Sequence, residues 1–437
     1  MNDWEIKSET KAEKKERVLL VGADLSESGI GDEEEFEYSM DELSELAKAC
    51  FMEPVGKVTQ KMAYLNKGLY IGTGKVNEVK EVAQMLEADL IIFNDTLTPS
   101  QLRNLQDEIG KPVMDRTTLI LDIFETRAKT REAKLQVETA RLQYLLPRLI
   151  GMHEALTRQG GTSGSMSSRG AGEKKLELDR RKIEHRLAEL RRELEEVSKE
   201  REVQRKKRLS ARIPLVALVG YTNAGKSTIM NAMVDAYVGD EEKRVLEKDM
   251  LFATLDTTIR RMNTGNNKDF LLSDTVGFIH KLPHGLVKAF RSTLEEVKNA
   301  DLLLQVVDYS DPHYREQMET TKETLAELDA GGIPMVTVFN KADKCPGTDY
   351  PRTNHDNRIY ISAKEASSIE MLVELIISKV YEDYVEAEFV IPYAKGNVVS
   401  YLMENAQVLE QEYLTEGTRM LVKCHKGDKN KYAEYLC

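Results

Sequence analysis

Eight consecutive residues, Gly220-Tyr221-Thr222-Asn223-Ala224-Gly225-Lys226-Ser227, have the types and spacing that hold nucleotide phosphates. They follow the apolar run Ile213–Val219 and lead into a helix-like stretch, Thr228–Ala236, which is the strand–loop–helix setting such a loop needs. The glycines let consecutive backbone N–H groups converge on phosphate oxygens, and the start of the helix adds partial positive charge. Lys226 is expected to reach the β- and γ-phosphates and Ser227 to hold Mg²⁺, with nucleotide contacts running from Gly220 through Thr228. The alternative, a glycine turn that merely joins a strand to a helix, is disfavoured by the specificity of the motif in this setting.

Three later motifs indicate which nucleotide. Asp274-Thr275-Val276-Gly277 follows the apolar Phe270–Leu272. The Asp274 carboxylate can hold a Mg²⁺ water, and the Gly277 N–H can meet the γ-phosphate, which makes this a switch loop. Asn340-Lys341-Ala342-Asp343 follows Met335–Phe339. Asp343 can accept two N–H donors from a guanine edge, a pattern adenine does not offer. Ser362-Ala363-Lys364 follows Ile359–Ile361, and its backbone N–H can support the guanine carbonyl. Each tetrapeptide alone is weak; in this order, each at the end of an apolar strand, they predict GTP and GDP rather than ATP. Between the first two motifs, Thr254, Thr257 and Thr258 offer a hydroxyl to close over the γ-phosphate and complete the Mg²⁺ shell. Thr254 is the expected one and Thr257 the alternative. Catalysis is thus assigned to Lys226, Thr254 and Gly277, and the metal to Ser227, Thr254 and Asp274. Phe278 stands where many switch GTPases carry a glutamine that orients the attacking water, so intrinsic hydrolysis is expected to be slow and a partner to stimulate it. Asn223 sits where, in several GTPase families, an asparagine helps hold a potassium ion, and this predicts potassium dependence.

The elements that must position these residues extend over 437 positions, enough for two to four domains. A net charge of −12 excludes a generic polyanion binder, so any nucleic-acid contact must use local basic patches. Cys50, Cys345, Cys424 and Cys437 are scattered without a CxxC, which reads as reduced thiols in a cytoplasmic protein. No apolar run approaches the length of a membrane helix, and the charged Met1–Arg17 is expected to be a flexible tail.

Residues 18–128 alternate strand and helix patterns, predicting a small α/β subdomain with a mainly parallel sheet. Strands are expected at Val18–Val21, Val55–Gln60, Leu69–Ile71, Leu90–Phe93 and Val113-Met114. Helices are expected at Asp41–Cys50, Lys75–Glu87 and from Thr98-Pro99 to Glu108. Ser26–Glu37 reads as an acidic loop, and Gly72-Thr73-Gly74-Lys75 as a structural turn rather than a second phosphate site. A long helix over Thr117–Leu149 and another over Glu173–Leu209 are expected to pack as an antiparallel hairpin spanning 129–210. Its seam is Ile183, Leu187, Leu190, Leu194 and Val197. The glycine- and serine-rich Gly160–Gly172 is read as a non-helical tip loop, flanked by Arg158 and Lys174-Lys175. Residues 211–383 form the GTPase domain and 384–437 a small α+β domain. The fold class is therefore multidomain α/β.

Together these residues resemble the HflX family of GTPases over nearly the whole chain. The resemblance is carried by Ile120–Phe124 with Arg127-Ala128, Leu142–Leu149, the Gln159-Gly160-Gly161 loop and Asp179–Ile183. It continues through the phosphate loop, Leu251–Asp256, Asp274–Ile279, and Ile391-Pro392-Tyr393 with Gly396. It implies a protein that binds the large ribosomal subunit in the GTP state; the chain itself is expected to be a monomer. The N-terminal domain and glycine-loop tip would dock, and stalled ribosomes would be split or rescued under stress; some members also bind ATP through the N-terminal region. Two departures stand out: the tip loop is longer and serine-rich, and Asp256-Thr257 lacks an intervening proline. Competing readings are a binding module whose hairpin grips a protein partner, and an RNA-modification GTPase. The latter is disfavoured because no cysteine or cofactor motif is present for such chemistry.

Overall fold

The structure, a computed structural model, describes residues 15–26, 32–159, 166–210, 213–238, 251–252, 257–265, 268–281, 295–354, 357–382 and 384–437. The chain divides into two units. The first comprises Met1–Glu195 with Met250–Phe252 and His280–Ala289; the second comprises Glu196–Asp249, Ala253–Ile279 and Phe290–Cys437.

In the first unit, β1 (Arg17–Asp24), α1 (Glu33–Ala49), β2 (Glu53–Lys61), α2 (Thr73–Met85), β3 (Leu90–Phe93), α3 (Pro99–Ile109), β4 (Val113–Asp115) and α4 (Arg116–Arg127) alternate. They build a parallel sheet in the order β2-β1-β3-β4. β1 and β3 are buried on both faces, which is why their sequences are continuous apolar runs rather than alternating ones. The helix starts follow local chemistry. Thr98 and Gln101 form a reciprocal capping box at α3 with Pro99 at its first position, and Gly110 closes that helix in the left-handed conformation.

Several expectations are corrected here. Much of the acidic loop is helix: Asp32 accepts the N–H of Glu35 as N-cap, and Glu33, Glu34 and Glu35 occupy the first turn, where carboxylates offset the helix dipole. Leu69–Ile71 is not a strand; only an isolated bridge joins Asn66 and Tyr70. The single helix over Thr117–Leu149 is two, α4 and α5 (Arg131–Gln159), separated at Ala128–Thr130, and α5 runs through Pro147. The Gly160–Gly172 segment is not wholly non-helical, because α6 (Met166–Ser210) begins inside it. Extending an established helix adds one hydrogen bond per residue fixed, which offsets the glycine penalty that discourages nucleation there. Residues 160–165 at the tip, and the tail Met1–Lys14, lie outside the described residues.

Helices α5 and α6 run antiparallel, as the pairs Glu138–Arg186 (2.7 and 2.8 Å) and Arg131–Glu193 (3.4 Å) require. Leu187 and Leu190 of the expected seam are buried. The base of α5 is tied to the sheet through Asp115. Its Oδ1 caps α4 at Thr118, while Oδ2 accepts from Leu97 N, the Tyr144 hydroxyl and Arg148 (2.9 Å).

In the second unit, β5 (Leu215–Gly220), α7 (Lys226–Tyr237), β6 (Thr258–Met262), β7 (Phe270–Asp274), β8 (Leu302–Asp308), β9 (Met335–Asn340), β10 (Arg352–Asn354) and β11 (Arg358–Tyr360) contribute a seven-stranded sheet in the order β10-β11-β9-β8-β5-β7-β6. It is parallel except for its edge pairs β6–β7 and β10–β11. One core joins the central strands to α7 and to the helix Ala366–Val380. β12 (Tyr384–Ile391), β13 (Gln407–Leu414) and β14 (Gly417–His425) form a separate antiparallel sheet in the order β12-β14-β13. It packs on the helix Gly396–Asn405 around Phe389, Leu402, Met420 and Val422.

Candidate functional site

Apart from Thr257, the described phosphate- and base-binding candidates lie at or just beyond the carboxyl ends of parallel strands of the second unit, where open α/β sheets place ligands. β5 ends at Gly220, β7 at Asp274 and β9 at Asn340, while Ser362 follows β11. Because β5 is central, its loop faces the loops of both neighbours.

The loop's conformation depends on residue type at two positions. Gly220 has φ +141° and Gly225 +96°, and a Cβ at either would lie 2.2 Å from a neighbouring atom, Val306 O or Asn340 Nδ2. Asn223 is also left-handed, at φ +59°, a conformation asparagine tolerates better than most residues. α7 then starts at Lys226 with its first N–H groups turned toward the loop.

Lys226 is buried, and its Nζ donates to the carbonyls of Gly220 (3.0 Å) and Tyr221 (2.7 Å). Burial pushes its ammonium down to about 8, while the Asp274 carboxylate acts in the opposite direction. Ser227 Oγ donates to Asp274 Oδ2 at 2.8 Å. A hydroxyl and a carboxylate side by side are the hard oxygen donors that Mg²⁺ takes, directly or through its waters. The donor set fits this metal: Ser227 and Asp274 would hold it, and it would neutralise charge on the phosphates.

Gly277 lies against the phosphate loop. A Cβ there would meet Thr222 Cα and Cγ2 at 2.8 Å and Lys226 Nζ at 3.1 Å. The next residue, Phe278, is buried and paired with the loop through its backbone. Its N–H donates to Gly220 O at 3.1 Å, and its carbonyl accepts from Thr222 N at 2.8 Å.

On the base side, Asn340 joins three motifs: its Nδ2 donates to Ala224 O at 3.0 Å and its Oδ1 accepts from Ala363 N at 3.0 Å. Lys341 spans Asn223 O (2.9 Å) and Asp308 Oδ2 (2.8 Å). These bonds frame a cavity of about 270 Å³ whose lining includes Asn223, Thr228, Asp343, Ser362, Ala363 and Lys364. The structure thus brings together Gly220–Thr228, Asp274, Gly277, Asn340, Lys341, Asp343 and Ser362–Lys364. Thr254 lies outside the described residues, and Thr257 is described immediately before β6. Asp308, which anchors Lys341, was not singled out from sequence. Its place at the end of the apolar β8 is the signal that would have found it.

The family described as "GTP-binding GTPase N-terminal" matches residues 37–125, "GTP-binding GTPase Middle Region" matches 127–208, and "50S ribosome-binding GTPase" matches 215–341. "GTPase HflX" of Caldanaerobacter subterraneus subsp. tengcongensis is 43% identical over 408 residues, covering 93% of this chain and 90% of that one. "GTPase HflX" of Escherichia coli (strain K12) is 38% identical over 381 residues, covering 86% and 87%. Among solved structures, a GTP-binding protein from Sulfolobus solfataricus in complex with GDP is 24% identical, covers 84% of this chain and 99% of that one, and has a TM-score of 0.43. Identity at this level across more than nine-tenths of the chain, with the nucleotide motifs gathered at one sheet edge, is decisive: the chain belongs to the HflX family of GTPases.

Proposed function

We propose that this GTPase binds the large ribosomal subunit in its GTP form, through its N-terminal unit and hairpin tip. It would split or rescue stalled ribosomes under stress and be reset by subunit-stimulated hydrolysis. The observation that supports a switch is the seat of Gly277 against Lys226 and Thr222, where a γ-phosphate contact would alter the position of the loop. Lys226 would neutralise charge on the β- and γ-phosphates, and Asp343 would accept from the guanine edge. Ser362, Ala363 and Lys364 would support the base, and Asn340 would keep base and phosphate loops in register. Mg²⁺, held by Ser227 and Asp274 with Thr254, would stabilise charge that develops on the leaving diphosphate. Potassium at Asn223 would add a second cation beside the phosphates.

GTP turnover is to be measured with and without purified large subunits, in KCl and in NaCl. A rise of about tenfold or more with subunits, roughly 1.4 kcal/mol of barrier, supports the reading. Equal rates with and without subunits, and no co-sedimentation in the GTP state, would remove it. Equal rates in the two salts would remove the potassium site alone. Changing Arg158, Arg169, Lys174 and Lys175 to Glu is expected to abolish subunit binding and leave basal hydrolysis intact. Titration of ATP against Lys226→Ala reads any N-terminal ATP site independently of the GTP site.

A further inference from the structure

Thr222 carries a chemical group that its packing does not explain. It is 6% exposed, and its Oγ1 has no hydrogen-bond partner among the described residues. A buried hydroxyl without a partner is destabilising, and valine would fill the same space without that cost. Native proteins keep such groups chiefly where another task needs them.

The surroundings indicate the task. A Cβ at Gly277, the residue assigned to the γ-phosphate, would meet the Cα and methyl of Thr222 at 2.8 Å and Lys226 Nζ at 3.1 Å, so the two side chains lie beside the switch glycine. The backbone of Thr222 is fixed by its N–H bond to Phe278 O, so its side chain is carried on a clamped loop. Phe278 occupies the position where a glutamine would orient water, and its side chain has no group able to do so.

We propose that the Thr222 hydroxyl is the group that positions the attacking water, supplying from the phosphate loop what the side chain at 278 lacks. The inference rests on GTP binding at this site. In the step, the water oxygen forms a bond to the γ-phosphorus as the bond from that phosphorus to the β–γ bridging oxygen breaks. The electron pair of the broken bond leaves on GDP. One water proton passes to a γ-phosphate oxygen, while Thr222 Oγ1 accepts a hydrogen bond from the other. Threonine is unchanged at the end; it is a positioning residue and exchanges no proton.

The test uses the full chain with Thr222→Val, Thr222→Ala and Thr222→Ser, in single-turnover GTP hydrolysis with and without large subunits. GDP affinity and thermal midpoint are measured alongside. Val and Ala are expected to lower the hydrolysis rate about tenfold or more, with GDP affinity and KM within about twofold of the parent. Ser is expected to hold the rate within about threefold. Val should leave the thermal midpoint equal or higher, because it removes a buried unpaired hydroxyl. Parental hydrolysis in Val and Ala would overturn the proposal, as would a loss in Ser equal to that in Val. Failure of the parent itself to bind GTP would instead defeat the assignment of the nucleotide site.

Discussion

Lys226 shows how a single enclosed charge ties nucleotide affinity to pH. Burial lowers its ammonium to about 8, whereas a bound polyphosphate would raise it. Nucleotide affinity should therefore be flat below pH 8 and fall above it, by up to about tenfold per pH unit until the bound-state value is reached. Stability of the protein without nucleotide should move the other way. Between about 8 and the ordinary lysine value of 10.5 the unfolded chain binds more protons than the folded one, so this group's contribution to stability rises with pH. Calorimetric GDP binding and thermal midpoints from pH 7 to 9.5 would check both slopes, and a flat affinity would refute the assignment of Lys226 to the phosphates. Much of this residue-level chemistry is legible in sequence because the loop is contiguous and its glycines are conformationally obligatory. The orphan hydroxyl of Thr222 and the Lys341–Asp308 pair were not legible, since both depend on which strands are neighbours.

Among the elements, the hairpin separates burial from charge. Leu190 is fully buried, so Leu190→Ala should cost about 2–5 kcal/mol. Arg186 forms a bidentate pair with Glu138 on a half-exposed face, and Arg186→Ala should change the thermal midpoint little. Urea denaturation of the two variants would distinguish these outcomes; a loss in Arg186→Ala as large as that in Leu190→Ala would show that the half-exposed pair holds the helices as strongly as the seam does. The heptad spacing made the seam readable. Composition misplaces helix ends where a cap or propagation outweighs it, at Asp32 for α1 and at Met166 for α6.

At the scale of the whole molecule, sequence order is a poor guide to which residues meet. Arg116 opens α4 yet is only 2% exposed, reaching Glu42 in α1, Asn94 Oδ1 (2.8 Å) beyond β3 and the carbonyl of His280 (3.1 Å). Lys281 pairs with Asp95 at 2.7 Å, and Phe252 lies edge-on to Phe124 at 4.7 Å. No periodicity announces contacts spanning more than a hundred residues. Arg116→Met removes the buried partner of Glu42 and should destabilise the protein by about 3–5 kcal/mol. Arg116→Met combined with Glu42→Leu should recover most of that loss in a double-mutant cycle, and strict additivity would show that the pair is not coupled.

The position of His280 has one more consequence. In the order β2-β1-β3-β4 successive connections run to opposite sides of β1, and in open sheets the crevice at such a switch in strand order is where soluble ligands settle. Here Asn94, Arg116 and the His280 carbonyl meet at that end of the sheet. A small molecule seeking the same crevice would have to evict residues 280 and 281, which follow Gly277 by only three and four positions.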